Sequence, residues 1–286
     1  MSMRARAGYR MVGRAKAGTK RRQAGFSLVE MTVVLVIIGL ILGAVMIGRD
    51  AQRNAEYVKI RQTFVNQWAV AYNTYVQRTG VPVGDDPALP QLMVNGQAYL
   101  ASNGGATSGG NMTGVSGPPM ICHGGAPKNM PSTSGLNTTA DTTQGRDLRE
   151  LMLRAGVQLP QGRGQGFEDR YVYLDSNGNP QELQVCFRWN PPGTPSGAGN
   201  VMVVAGLTPD LARSLAAAIN GSSGASSGSF RQEGVAQGAI GVGAGAALNQ
   251  ATQAQDWSSD NAAIQGGGNS AEGQVQTLVA NYKMNQ

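Results

Sequence analysis

The chain has 286 residues, one His and two Cys, and a formal net charge of +6. One imidazole offers no Ser/His/Asp hydrolase set that can be placed, and the acids are scattered without paired spacing. The charge does not point to nucleic acid either: residues 1–25 hold eight of the 23 Lys and Arg and none of the 17 acids, which leaves 15 cations against 17 anions, a net of −2, in the rest of the chain.

The basic front, Arg4 to Arg22, leads into Gly25-Phe26-Ser27-Leu28-Val29-Glu30, after which the 17 residues Met31 to Ile47 carry no formal charge. As a helix this stretch, with Phe26 to Val29, is long enough to cross most of a bilayer core. The positive-inside rule keeps its basic end in the cytoplasm. A secretory signal fits poorly, since its apolar run spans about 7 to 15 residues and is followed by small residues, whereas here the run is longer and Gly25 precedes it. An ordinary single-pass anchor is the other plain reading, and it leaves the Gly-Phe-Ser-Leu-Val-Glu junction unexplained.

Glu30 is the most informative residue. An ionised carboxylate at that depth costs about 2.5 to 3.5 kcal/mol on insertion scales, so it needs a partner or a task. Arg49 is the next cation, about 28 Å further along a helix. A cut between Gly25 and Phe26 would supply a cation at the right depth, because the new amino terminus of one subunit could meet Glu30 of a staggered neighbour.

In Gly25, Phe26 and Glu30 the sequence resembles the class III signal of type IV pilins and type II secretion pseudopilins, specifically over Arg21 to about Gly48. The resemblance implies that a prepilin peptidase cleaves after Gly25 and N-methylates Phe26, and that Glu30 sets the assembly register. It also implies a non-enzymatic structural subunit without a cofactor. Its partners would be other pilin subunits, met through the N-terminal helices, and an inner-membrane assembly platform. The protein would sit in the inner membrane with its N-terminus cytoplasmic and its head periplasmic, then pass to an extracellular pilus or a periplasmic pseudopilus. A mature length of 261 residues is long for a major subunit, which favours a minor or unusually large pilin. A pseudopilin is the alternative, and a membrane-anchored adhesive or ligand-binding module is the alternative from another class. The membrane segment departs from many pilins in having no proline; Gly39, Gly43 and Gly48 are its weak points. Gly39-x-x-x-Gly43 is a close-packing pattern for membrane helices.

The expected fold is α+β: a leader over 1–25, a helix over 26–78, a pilin-like antiparallel β-sheet head over 79–220, and a tail or loops over 221–286. From Arg49 to Arg78 there is no Pro or Gly, and Ala51, Ala55, Val58, Val65, Ala69, Tyr72 and Val76 form one apolar stripe. Tyr57, Ile60, Phe64, Trp68 and Tyr75 form a second beside it. Gly80 and Pro82 stop the helix, giving a rod of about 80 Å.

Residues 101–119 read as a Gly, Ser and Asn rich surface loop. Arg146–Ala155 reads as a short helix stopped by Gly156. Strands are expected at Arg170–Leu174, Glu182–Trp189 and Asn200–Leu207, the first two joined by a hairpin turn over 175–180. Asp175-x-Asn177-x-Asn179 also opens like a calcium loop, but Pro180 takes the sixth place and no Glu holds the twelfth, so the turn is favoured. Thr208-Pro209-Asp210 opens a helix that runs to Asn220 before Gly221. The Gly, Ala, Ser and Gln rich stretch beyond is either loops over the sheet or a flexible tail, with a last strand at Gln274–Lys283.

Cys122 and Cys186 fall in the part that this topology sends to an oxidising compartment, and an even pair fits one disulfide worth about 4 kcal/mol in the chain-entropy model. The competing set, Cys122, His123 and Cys186 around a metal, lacks a second close ligand pair.

Overall fold

The computed structural model of the chain describes residues 27–102, 112, 114–127, 139–143, 145–235, 257 and 277–284. It divides into two compact units, Met1–Asp50 and Ala51–Gln286. The first is the start of helix α1 (Leu28–Ile60). Every described residue up to Asp50 is exposed, with Leu28 at 80%, Leu40 at 70% and Ile47 at 73%. The helix is regular through Gly39, Gly43 and Gly48, and a Cβ at any of the three would meet nothing within 4 Å.

The second unit begins in the last turns of α1, passes through a π-helical turn at Arg61–Val65, and continues as α2 (Asn66–Thr79). Gly80 then takes a left-handed conformation, φ 78°, and its N–H caps the Val76 carbonyl, so the stop anticipated at Gly80 is where the helix ends. Of the two stripes, the aromatic one lies wholly in the core, with Tyr57, Ile60, Phe64, Trp68 and Tyr75 buried, whereas the other is divided: Val65 and Tyr72 are buried, Ala69 and Val76 half-buried, and Ala51, Ala55 and Val58 exposed. The π turn is the reason. Ile60, Phe64, Trp68 and Tyr72 are spaced by fours, and each such step in an α-helix overshoots a full turn by about 40°. A wider turn absorbs the overshoot and keeps these large rings on one line.

These rings pack on a seven-stranded sheet ordered β2-β1-β4-β5-β7-β6, with β3 also paired to β4; only the β1–β2 pair is parallel. The strands are β1 (Met120–Ile121), β2 (Ala140–Asp141), β3 (Arg170–Leu174), β4 (Pro180–Asn190), β5 (Gly199–Leu207), β6 (Phe230–Gln232) and β7 (Leu278–Lys283). The fold is thus a long apolar N-terminal helix followed by a mostly antiparallel head, pilin-like α+β. Period-two alternation divides β4 between the faces. Leu183, Val185 and Phe187 join the core against the helix, where Phe187 stacks on Tyr72 at 4.8 Å, while Cys186 lies in a smaller cluster on the other face with Val201, Val203 and Val279.

Three short helices complete the described head. Helix α3 (Gly96–Ser102) ends inside the stretch read as a surface loop, and β1 closes that stretch. Such short pieces leave no periodicity to read. Helix α4 (Leu148–Arg154) starts two residues later than expected because the Asp147 carboxylate caps the amides of Arg149 and Glu150. Helix α5 (Pro209–Asn220) has Thr208 at its N-cap, as expected, but the Thr208 hydroxyl makes no capping bond; the Tyr173 hydroxyl instead accepts from the Thr208 N–H.

Beyond residue 221 the described residues belong to the head: Phe230, Trp257 and Leu278 are core, and β7 lies between β5 and β6. Residues 274–276 of the expected last strand lie outside the described residues.

Candidate functional site

The junction that the sequence singles out opens α1. Ser27 Oγ accepts from the Glu30 N–H at 3.2 Å, while Glu30 Oε2 accepts from the Ser27 N–H at 2.8 Å. This is a reciprocal capping box, and it satisfies two amides that a helix start leaves bare. The spacing Ser-x-x-Glu carries that signal, which a reading of Glu30 only as a charge in lipid overlooks. The carboxylate also sits where the helix dipole favours negative charge. Gly25 and Phe26 lie outside the described residues.

From here the helix offers an unbroken apolar surface. An 18-residue window within Leu28–Thr79 reaches a mean hydropathy of 2.8 with none of it buried, long and apolar enough to cross a membrane. Residues 20–46, which include this junction, match the prokaryotic N-terminal methylation motif. The chain therefore carries a class III signal. This motif is typical of type IV pilins and pseudopilins, a generally non-enzymatic family, and it fits the pilin-like order of apolar helix and sheet head. No curated protein and no solved structure matches the chain.

Within the head, Cys122 and Cys186 form a disulfide. It ties the residue after β1 to the middle of β4, and both cysteines are fully buried. His123 is not held by those sulfurs: Nδ1 meets the Asp147 carboxylate at 2.8 Å and Nε2 meets the Gly166 carbonyl at 2.9 Å. Among the described residues no group of three or more His, Cys, Asp or Glu could hold a metal ion. The Asp175 carboxylate is turned into its own hairpin, accepting from the amides of Asn177 at 2.9 Å and Asn179 at 2.8 Å. Burial pushes its carboxyl up, but these bonds and those from the Asn179 and Gln181 side chains hold it below the usual range. That is a turn built around an acid, as the hairpin reading expects.

The sequence gives no sign of three polar clusters. Asp169 is 2% exposed and neither carboxylate oxygen accepts a hydrogen bond, with Arg170 Nε at 3.7 Å. Burial pushes its carboxyl up to about 6, against the opposing pull of His123 and Arg170. On the other sheet face, Arg188 Nη2 donates to Glu233 Oε2 at 2.7 Å in full burial, joined by Asn281 and Ser196. This ties β4 and the turn after β6 to the last strand. Alternation could have placed Arg188 beside Cys186, but nothing local announces an acid 45 positions on. The third cluster is Asp85, whose carboxylate accepts from the amides of Asp86, Gln91 and Leu92.

Proposed function

We propose that the chain is a prepilin whose mature form is a structural subunit of a type IV pilus-like filament. In this reading a prepilin peptidase cuts after Gly25 and methylates Phe26, and the apolar helix holds the subunit in the inner membrane with the head outside. Subunits then pass through an assembly platform into a filament in which the helices cover one another. Glu30 of one copy meets the amino terminus of the next, leaving the capping box as its resting contact.

The observation that carries the reading is the methylation motif placed on a helix whose apolar side chains from Leu28 to Ile47 are all uncovered. Leu28 to Ile47 cannot remain so in water, and lipid before assembly and neighbouring helices afterwards are the two surroundings that suit them. Within the class we read the subunit as a minor or unusually large pilin, with a pseudopilin as the second reading.

The test is the mature N-terminus together with the carboxylate. Mass spectrometry of the envelope form should find N-methylated Phe26 as the first residue, and Glu30→Ala should be cut normally yet enter filaments at least about ten-fold less, having lost a charge contact of partly buried strength. A dominant mature form that still spans Ala24 to Leu28 would overturn the reading. Normal filament entry by Glu30→Ala, with only a binding activity of the head lost, would favour an anchored adhesive module instead.

A further inference from the structure

Both ring nitrogens of His123, the one histidine of the chain, meet atoms that accept hydrogen bonds. Nδ1 lies 2.9 and 2.8 Å from the two oxygens of Asp147, and Nε2 lies 2.9 Å from the Gly166 carbonyl. A neutral imidazole has one N–H and one lone pair, so it serves only one of these partners and turns its lone pair on the other. A carbonyl has no proton to give, which makes Nε2 a donor. Asp147 is committed as an acceptor, because its Oδ1 takes the amides of Arg149 at 3.0 Å and Glu150 at 3.2 Å as the cap of α4. A proton shared between Nδ1 and that carboxylate belongs on the ring, the stronger base. The two contacts together therefore need the imidazolium.

The charges that surround the ring leave this task to it. Helix α4 brings Arg149, Glu150 and Arg154 to the hollow beside His123, and the segment ahead of β3 brings Arg163, Glu168, Asp169 and Arg170. Among these described residues each cation has an acid of its own: Arg149 pairs with Glu168, Arg154 with Glu150, and Arg163 and Arg170 with Glu182 of β4. Asp147 is left to His123. Burial pushes the Asp169 carboxyl up, and His123 is the foremost of the charges that oppose it, ahead of Arg170.

The ring joins three segments: the loop after β1, the start of α4 and the turn over 163–168. Within that turn the Phe167 amide donates to the Gly164 carbonyl at 3.0 Å and the Gly166 amide to Glu168 Oε1 at 3.0 Å. The Glu168 carbonyl accepts from the Trp68 indole of α2 at 3.2 Å, so the turn is also a prop for the long helix.

We propose that His123 is a pH-dependent clasp, which holds the 163–168 turn to the start of α4 when charged and releases the turn when neutral. An imidazole gives up its proton between about pH 5 and 8. The one proton then left on the ring stays at Nδ1, because the Asp147 carboxylate is a stronger acceptor than a carbonyl, and the Gly166 carbonyl loses its donor. The clasp is a property of the head and does not depend on the filament reading.

The full chain, purified in detergent through a tag without histidine and labelled with 15N at His and Phe, offers one imidazole and five phenylalanines to follow by NMR. At pH 5.5 both ring N–H protons should be visible, held by their acceptors from exchange with water. At pH 8.5 the ring should be the Nδ1–H tautomer, and the Phe167 amide should have shifted along the same titration curve as the ring. An Nε2–H tautomer at pH 8.5, or a Phe167 amide that ignores the titration of the ring, would overturn the clasp. His123→Gln should abolish the Phe167 shift and lower the folding equilibrium constant at least about ten-fold at pH 5.5, the scale of a hydrogen bond to a charged group, and clearly less at pH 8.5. Asp169→Asn should keep the Phe167 shift; its loss there would make the buried acid the sensor and overturn the proposal. Should His123→Gln fail to fold, the tautomer and the Asp169→Asn spectrum still decide.

Discussion

Ser27 and Glu30 satisfy one another's backbone amides, so the carboxylate has a use inside its own chain before any neighbour arrives. A hydrogen bond from an amide does not cancel the charge, and the cost of placing that charge in lipid still favours a cationic partner. Asp169 poses the opposite problem: it is a buried acid with no donor at all. Its folded carboxyl stands near 6 against an ordinary 3.8, raised by burial. A raised acid favours the protonated fold, so its contribution is complete below about pH 3.8 and is lost as pH rises through about 6. Asp169→Asn should therefore stabilise the head by up to about 3 kcal/mol at pH 8 and by little at pH 4. Urea unfolding of the solubilised chain, followed by tryptophan fluorescence at both pH values, measures this; an equal effect at both would show that the ionisation is not the cause.

At the scale of elements, the sheet owes part of its shape to one glycine. The register of β5 against β7 shifts between Ala205 and Leu207, and Gly206 at the shift has φ 85°. A Cβ there would lie 2.0 Å from the Glu182 carbonyl of β4, backbone that cannot swing aside. The Gly206 carbonyl also accepts from the Tyr173 hydroxyl at 2.9 Å, which fixes β3 to the bulge. Gly178, in the β3–β4 turn, has a similar φ of 82° but open space around it. Gly178→Ala should cost about 1–2 kcal/mol from the left-handed backbone alone, and Gly206→Ala clearly more because the strands must part. Melting temperatures of the two variants compare them directly. Equal losses would mean that the close approach at Gly206 is relieved without cost.

For the whole molecule, the Cys122–Cys186 bond closes 64 positions of chain and joins the β1 side of the sheet to its centre. Replacing both cysteines with Ser should lower the unfolding free energy by about 4 kcal/mol in the chain-entropy model. Since both cysteines are fully buried, a reductant should open the bond slowly in the native protein and quickly once denaturant exposes it. Comparable reduction rates with and without denaturant would show that the smaller core opens independently of the rest.

The sequence by itself determined the features whose cause is local. Met31 to Ile47 can only be a helix that seeks an apolar environment, Gly80 before Pro82 can only end one, and β3, β4 and β5 announce themselves by alternation and by the turn at Asp175. Ser27-x-x-Glu30 was local too, a cap written in four residues. Tertiary structure alone decided which stripe of the second helical half is inner, because the π turn at Arg61–Val65 answers to the rings it must align on the sheet and not to its own composition. It alone decided that Phe230 and Leu278, beyond a Gly-rich stretch, complete the same core. It also brought Arg188 to Glu233 and the amides of Gln91 and Leu92 to Asp85. Those arrangements join residues whose partners lie far off in sequence or take their geometry from the fold around them, and no window along the chain contains the reason for them.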